Sequence, residues 1–242
     1  MPPRAFGIQS SMLLAGVLIA AAAVSTPADL GPVPVEQVRV FLIRHGQAYS
    51  NLDPTPDLPP AQLDRLTDLG HSQSRRAGLA LKGHGVALVL SSPAGRARES
   101  ADELSAALGA GVARMDARLR PLELGRTPAG HPLDWDAREA EWAAGRDPQP
   151  DGGESLDQVG RRVQELVTNL AKDHRGASIV LVAHSEVIGA FLGLVAGTPA
   201  PRRLDASSVR NGSITVVEAG AAGPEHLVLL DYVPSETSAP RR

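Results

Sequence analysis

The sequence predicts an α/β fold, a three-layer αβα sandwich in which helices cover both faces of a mostly parallel central sheet. Three times a short aliphatic run ends in a polar cluster and is followed by apolar residues at helical spacing, the pattern of right-handed βαβ crossovers. Two further apolar runs near the C-terminus have no helical pattern between them and read as a closing strand pair.

The first strand covers residues 38–43, a β-branched and aromatic run that stops at Arg44-His45-Gly46, where the glycine predicts a sharp turn. Pro54, Pro56, Pro59 and Pro60 stiffen the loop of residues 52–60, expected at the rim of a site. Thr67 suits an N-cap for a helix reaching about residue 82. Residues 86–90 form the second strand, ended by Ser91-Ser92-Pro93. From Arg96 a helix follows, with Ala97, Ala101, Leu104 and Leu108 on one face.

Ser155 caps a third helix whose stripe is Leu156, Val159, Val163, Leu166, Val167 and Leu170. Residues 178–183 form the next strand, His184 ends it, and residues 187–195 read as a helix. Residues 214–218 and 226–231 are the closing pair, and a disordered tail is expected over residues 234–242. Residues 124–152 predict a small cap, with Trp135 and Trp142 on one helical face pinning it to the domain covering residues 38–233.

The 242 residues are 43% hydrophobic and 21% charged with a net charge of −3, which fits one large globular domain. A sequence pI of about 6.2 and the absence of any long basic block argue against a nucleic-acid partner. With no cysteine, disulfides, thiolate nucleophiles and cysteine-based zinc sites are excluded. His71, His84, His131, His174 and His226 lack paired metal-ligand spacing, so no metal is expected.

At the N-terminus Arg4 precedes an apolar run over residues 12–24 and then small residues before Pro27. This is a secretory signal pattern for residues 1–25, followed by a linker over 26–37. The run is shorter than the about 20 residues needed to cross a bilayer. A cleaved signal and a periplasmic or secreted protein are therefore expected over a permanent anchor.

Arg44-His45, Arg96 and His184 all fall at the carboxyl ends of predicted strands or in the turns that follow, so a parallel sheet gathers them on one edge. Guanidinium forks there suit a planar anion, and Arg96 sits where a helix N-terminus adds positive field.

On these motifs the chain resembles the histidine phosphatase superfamily, which includes the cofactor-dependent phosphoglycerate mutases and many phosphatases. The family's Arg-His-Gly with asparagine six after the histidine resembles residues 44–51. Its Leu-Thr, Gly and Gln segment resembles Leu66-Thr67, Gly70 and Gln73, and its Ser-Ser-Pro-x-x-Arg-Ala resembles residues 91–97. Its acidic residue after a leucine-rich turn is similar to Glu123, its Gly-Glu-Ser to Gly153-Glu154-Ser155, and its strand-end histidine to His184.

The resemblance implies a phosphoglycerate mutase-like fold and a catalytic set of His45, Glu123, Arg44, Arg96 and His184. His45 would accept the phosphoryl group while Arg44, Arg96 and His184 clamp its oxygens, Asn51 adds a donor and Glu123 protonates the leaving oxygen. No metal or other cofactor is expected, since guanidinium groups supply the charge neutralisation that phosphoryl transfer needs. Ser185 stands where the family often has glycine and adds a phosphate-facing hydroxyl. Ala129-Gly130 replaces a common Glu-Gly, and Gln47-Ala48 a frequent Glu-Ser or Glu-Thr.

The expected activity is an exported, metal-independent phosphatase acting on a small phosphorylated substrate. The alternatives are a phosphomutase and a non-catalytic phosphate-binding protein of the same fold. The family's mutases carry long insertions, whereas the interval from Glu123 to His184 is short here.

Overall fold

A computed structural model describes residues 24–205, 209–221 and 225–235. The predicted signal lies almost wholly outside these residues, as does the predicted tail beyond residue 235.

Six strands form one sheet: β1 (Gln37–Arg44), β2 (Val86–Ser91), β3 (Arg114–Met115), β4 (Ser178–Ala183), β5 (Ile214–Gly220) and β6 (His226–Tyr232). Their order is β3-β2-β4-β1-β5-β6. Strands β1, β2 and β3 run parallel to their neighbours in the first half of the sheet, and β5 lies antiparallel to both β1 and β6. The mostly parallel sheet and the closing pair are as the sequence predicts.

Burial explains why β1 and β4 carry no polar residue in their centres. Val38, Val40 and Leu42 of β1 face a core built with α5 (Leu156–Asp173) and α6 (Ser185–Val195). Phe41 and Ile43 face the opposite core, built with α2 (Asp68–Ala80) and α3 (Gly95–Leu108). Alternation along one strand thus feeds two apolar layers, which is why such a strand reads as a continuous hydrophobic run.

The helix starts follow their caps. The Thr67 hydroxyl accepts from the Gly70 amide at 3.1 Å, and Ser155 accepts from Gln158 in a reciprocal capping box. Helix α6 begins at Ser185, two residues earlier than its apolar pattern indicates, because His184 is its extended N-cap residue and the first turn is polar. One short turn, α1 (Pro60–Leu63), begins on a proline, the helical position where a missing N–H costs least. The edge strand β3 is two exposed residues with no hydrophobic signature.

The segment before β1 is anchored. Arg39, buried on the strand, donates to the Gly31 carbonyl at 2.7 Å and pairs with Glu218 directly across on β5 at 2.9 Å.

Gly46 lies two residues past the end of β1, but its backbone does not use the left-handed region. Glycine is needed there for contact: a Cβ on Gly46 would collide with the Gly70 carbonyl, and a Cβ on Gly70 with the Gln47 carbonyl. The N-terminus of α2 thereby packs directly onto the strand end. Gly46→Ala is expected to lower the unfolding free energy by about 1–3 kcal/mol, the usual cost of overpacking. Urea denaturation checks this, with Gly31→Ala, where a methyl meets nothing within 4 Å, expected to shift stability by less than about 0.5 kcal/mol.

Candidate active site

The carboxyl ends of β1, β2 and β4 meet around His45, a buried residue whose backbone amide donates to the Ala183 carbonyl at 3.0 Å. The ring of His45 has its Nδ1 at 2.7 Å from its neighbour's carbonyl, Gly46 O. A carbonyl only accepts, so Nδ1 carries the proton and Nε2 carries the lone pair. That Nε2 accepts from Arg96 Nε at 3.1 Å.

Arg96, in the first turn of α3, spreads its other donors over two more partners. Its Nη1 donates to Asp64 Oδ1 at 2.5 Å, and its Nη2 donates to His184 Nδ1 at 3.1 Å. With Nδ1 of His184 accepting, Nε2–H of that ring donates to Ser92 Oγ at 2.8 Å. The two imidazoles meet edge to face with centroids 5.1 Å apart. Asp64 also accepts from the Gly95 amide at 2.6 Å, so one carboxylate fixes both the helix start and its guanidinium.

Electrostatics keeps both imidazoles neutral. Burial, then the Arg96 charge, pushes His45 from 6.5 down to about 3. Burial and the neighbouring cations also hold His184 well below its ordinary value.

Arg44 ends β1 with Nη1 donating to the Val209 carbonyl at 2.7 Å, while its buried Nε has no hydrogen-bond partner among the described residues. Burial, and to a lesser degree Arg96, lowers its pKa. An unpartnered guanidinium N–H in a polar cleft is a ready donor for an anion.

The backbone behind His45 is tied by the segment that leads into the neighbouring strand β5. Asn211 Nδ2 donates to the His45 carbonyl at 3.0 Å and to Asn51 Oδ1 at 3.3 Å, and the Gly212 amide donates to the Arg44 carbonyl at 3.0 Å. Gly46 N donates to Ser100 Oγ at 2.9 Å, which locks the strand end to α3.

These side chains open into a cleft of about 410 Å³. Of the residues the sequence singles out, Arg44, His45, Asn51, Arg96 and Ser185 line it, and His184 lies directly beneath, bonded to Arg96. Glu123 does not line it. Its side chain is 58% exposed and turned toward Arg120 at 3.6 Å, while Leu122 and Leu124 on either side of it form the wall. The geometry therefore departs from the expected acid position, because neighbouring side chains of this segment leave on different sides.

The cap residues divide as well. Trp142, in α4 (Trp135–Ala143), is buried and packs against Arg138, whose guanidinium lies 5.2 Å from its ring centre. Trp135 lies against Trp142 at 5.9 Å but is 40% exposed and lines the cleft. The expectation that both tryptophans pin the cap holds for Trp142, whereas Trp135 also presents a ring to the cleft.

Sequence reasoning passed over Asp64, Ser100 and Glu186. Asp64 and Ser100 act through contacts across 32 and 54 residues, which no local pattern announces. Glu186 sits on the first turn of α6 and lines the cleft. A second hollow of about 260 Å³, lined by Arg65, Arg98, Glu99 and Asp102 among others, holds neither histidine.

Comparison with known proteins agrees with this arrangement. A probable phosphoglycerate mutase from Citrobacter koseri is 29% identical over 195 residues, covering 75% of this chain and 85% of that protein. A mycobacterial glucosyl-3-phosphoglycerate phosphatase, solved as a complex with VO3, is 27% identical at a TM-score of 0.63, covering 80% of this chain and 99% of that one. A phosphoserine phosphatase from Entamoeba histolytica, in complex with 3-phosphoglyceric acid, shares the fold at a TM-score of 0.65 with 18% identity, covering 84% of this chain and 100% of that one. The sequence pattern of the histidine phosphatase superfamily (branch 1) matches residues 40–231, from the middle of the first strand to the end of the last, and the chain belongs to that family.

Proposed function

We propose that the protein is an exported, metal-independent phosphomonoesterase that works through a phosphohistidine on His45. The observation that carries this reading is the His45 tautomer: Nδ1–H is committed to Gly46 O, which leaves the Nε2 lone pair facing the cleft beside Arg96.

An incoming phosphate monoester competes for donors that are already in place. Its oxygens take the guanidinium N–H groups of Arg96 and the free Nε–H of Arg44, with Asn51 and the Ser185 hydroxyl at the rim. When phosphate draws the Arg96 N–H groups to itself, Nε2 is released to attack phosphorus. The P–N bond forms, the P–O bond to the alcohol breaks, and the departing oxygen takes a proton. Water then attacks the phosphohistidine, the P–N bond breaks, and inorganic phosphate leaves.

Uncatalysed phosphomonoester hydrolysis is slow enough that acceleration reaches ~10²¹-fold, about 29 kcal/mol of barrier. Dividing it through a covalent intermediate with fixed cations is the economical route. The guanidinium groups of Arg44 and Arg96 supply the positive charge that a metal ion supplies elsewhere.

The mutase reading uses the same first step but transfers phosphate to a second hydroxyl. The names of the Citrobacter koseri relative and the mycobacterial phosphatase point each way. The short cap of residues 124–152 and the predicted signal favour water as the acceptor. Among the described residues no helix is long and apolar enough to cross a membrane. Phosphorylated sugar acids and phosphoserine-like esters are the substrate class that the neighbours' names suggest, and Leu122, Leu124 and Trp135 offer an apolar wall to the organic part.

Three outcomes are expected. First, p-nitrophenyl phosphate is hydrolysed in the presence of EDTA and a rapid alkaline detergent quench traps a base-stable, acid-labile phosphoprotein, whereas His45→Ala shows neither hydrolysis nor the phosphoprotein. Loss of activity on chelation, or equal rates in both proteins, overturns the mechanism.

Second, because folding lowers the His45 pKa from 6.5 to about 3, the unfolded chain binds a proton between those values that the native state refuses. Stability therefore falls as pH drops from about 6.5 toward about 3. His45→Gln is expected to flatten that fall by up to one proton in plots of urea-unfolding free energy against pH.

Third, Trp142→Ala is expected to cost about 3–5 kcal/mol of stability. Trp135→Ala is expected instead to raise KM for esters with bulky organic groups, with a small change in melting temperature.

A further inference from the structure

The proposed reaction needs a proton for the departing oxygen, and Glu123 is turned out of the cleft. A different carboxylate occupies the wall. Glu186 is half-buried in the first turn of α6, two residues past His184, and lines the cleft together with His45, Arg96 and Ser185. It shares that wall with Pro121 and Leu122, the segment that leads into Glu123.

From these positions we propose that Glu186 is the proton donor and acceptor of the reaction. Its carboxyl gives a proton to the ester oxygen as the P–O bond breaks, which leaves a carboxylate and a neutral alcohol. That carboxylate then takes a proton from the water that attacks the phosphohistidine, which returns the acid and releases inorganic phosphate. No other reactant is needed. The assignment rests on the phosphatase reading of the site.

The surroundings suit the role. Arg44 from β1, Arg96 from α3 and Arg162 from α5 face Glu186 with positive charge, and the neutral rings of His45 and His184 lie beside it. Burial pushes the carboxyl above its ordinary value and outweighs the nearby backbone of Glu186 and Leu122 and the cations, which favour the carboxylate. A general acid is most effective when it retains its proton close to the working pH. Arrival of a phosphate dianion among the same arginines raises the proton affinity of Glu186 further.

The test uses the dependence of rate on the leaving group. A nitrophenolate is weakly basic and departs without help, whereas an alkoxide needs the proton. With p-nitrophenyl phosphate and glycerol 2-phosphate as probes, Glu186→Gln is expected to lower kcat/KM for the alkyl ester by ~10²–10⁴-fold and for the aryl ester by less than ~10-fold. The basic limb of the alkyl-ester pH profile should vanish with it. Glu186→Asp, which keeps an acid, recovers part of the alkyl-ester rate and serves as the readout if the glutamine variant melts early.

Equal loss on both esters, no loss on either, or a leaving-group-dependent loss in Glu123→Gln instead overturns the assignment. The phosphatase reading is judged separately by wild type against His45→Ala on the aryl ester. If wild type hydrolyses neither ester, that reading falls and the Glu186 assignment falls with it.

Discussion

The Arg96 guanidinium is the interaction on which the site depends. One planar cation donates to Nε2 of His45, to Nδ1 of His184 and to Asp64. Because it can only donate, it dictates the tautomer of both histidines, and His184 passes the constraint on to Ser92. The same charge suppresses protonation of both rings. A lysine at this position, a compact flexible ammonium, lacks the planar fork that holds His45, His184 and Asp64 at once, and only the His45 tautomer would keep a second determinant, the Gly46 carbonyl.

Around that centre the fold supplies rigidity at short range. The absence of side chains at Gly46 and Gly70 lets α2 press onto the end of β1, while Ser100 ties the same backbone to α3. The opposite wall is held by a buried ion pair. Glu154 accepts from Arg162 at 3.0 Å and from Arg120 at 2.6 Å, and Arg162 donates onward to the carbonyls of Arg120 and Pro121. Buried charges persist only when paired and hydrogen-bonded, and here the pairing holds the backbone that runs into Leu122, which lines the cleft beside Glu186.

The parts of this arrangement that the sequence discloses are those set by local rules. Strand runs, the Thr67 and Ser155 caps and the polar strand ends follow from periodicity and capping chemistry, and parallel topology then brings Arg44, His45, Arg96 and His184 to one edge. What stayed hidden depends on direction and distance. Spacing alone does not say that Glu123 turns outward while Leu122 and Leu124 turn inward. Nor does it say that Asp64, from the loop after the prolines, reaches the start of α3. The role of Gly46 is legible as a need for glycine, but its cause is a contact with a residue 24 positions away.

The C-terminal hairpin has a consequence for how the molecule is made. The carbonyls of Arg44 and His45 receive their donors from Asn211 and Gly212, a sequence separation of 166 residues for the Asn211 bond. The βαβ core, with its two histidines, is synthesised before those donors leave the ribosome. Contacts of such long range close late, since the chain between them must be ordered first. The strand end that carries His45 therefore takes two of its backbone hydrogen bonds from the segment leading into β5, so its frame closes only once the C-terminal part of the chain has joined the sheet.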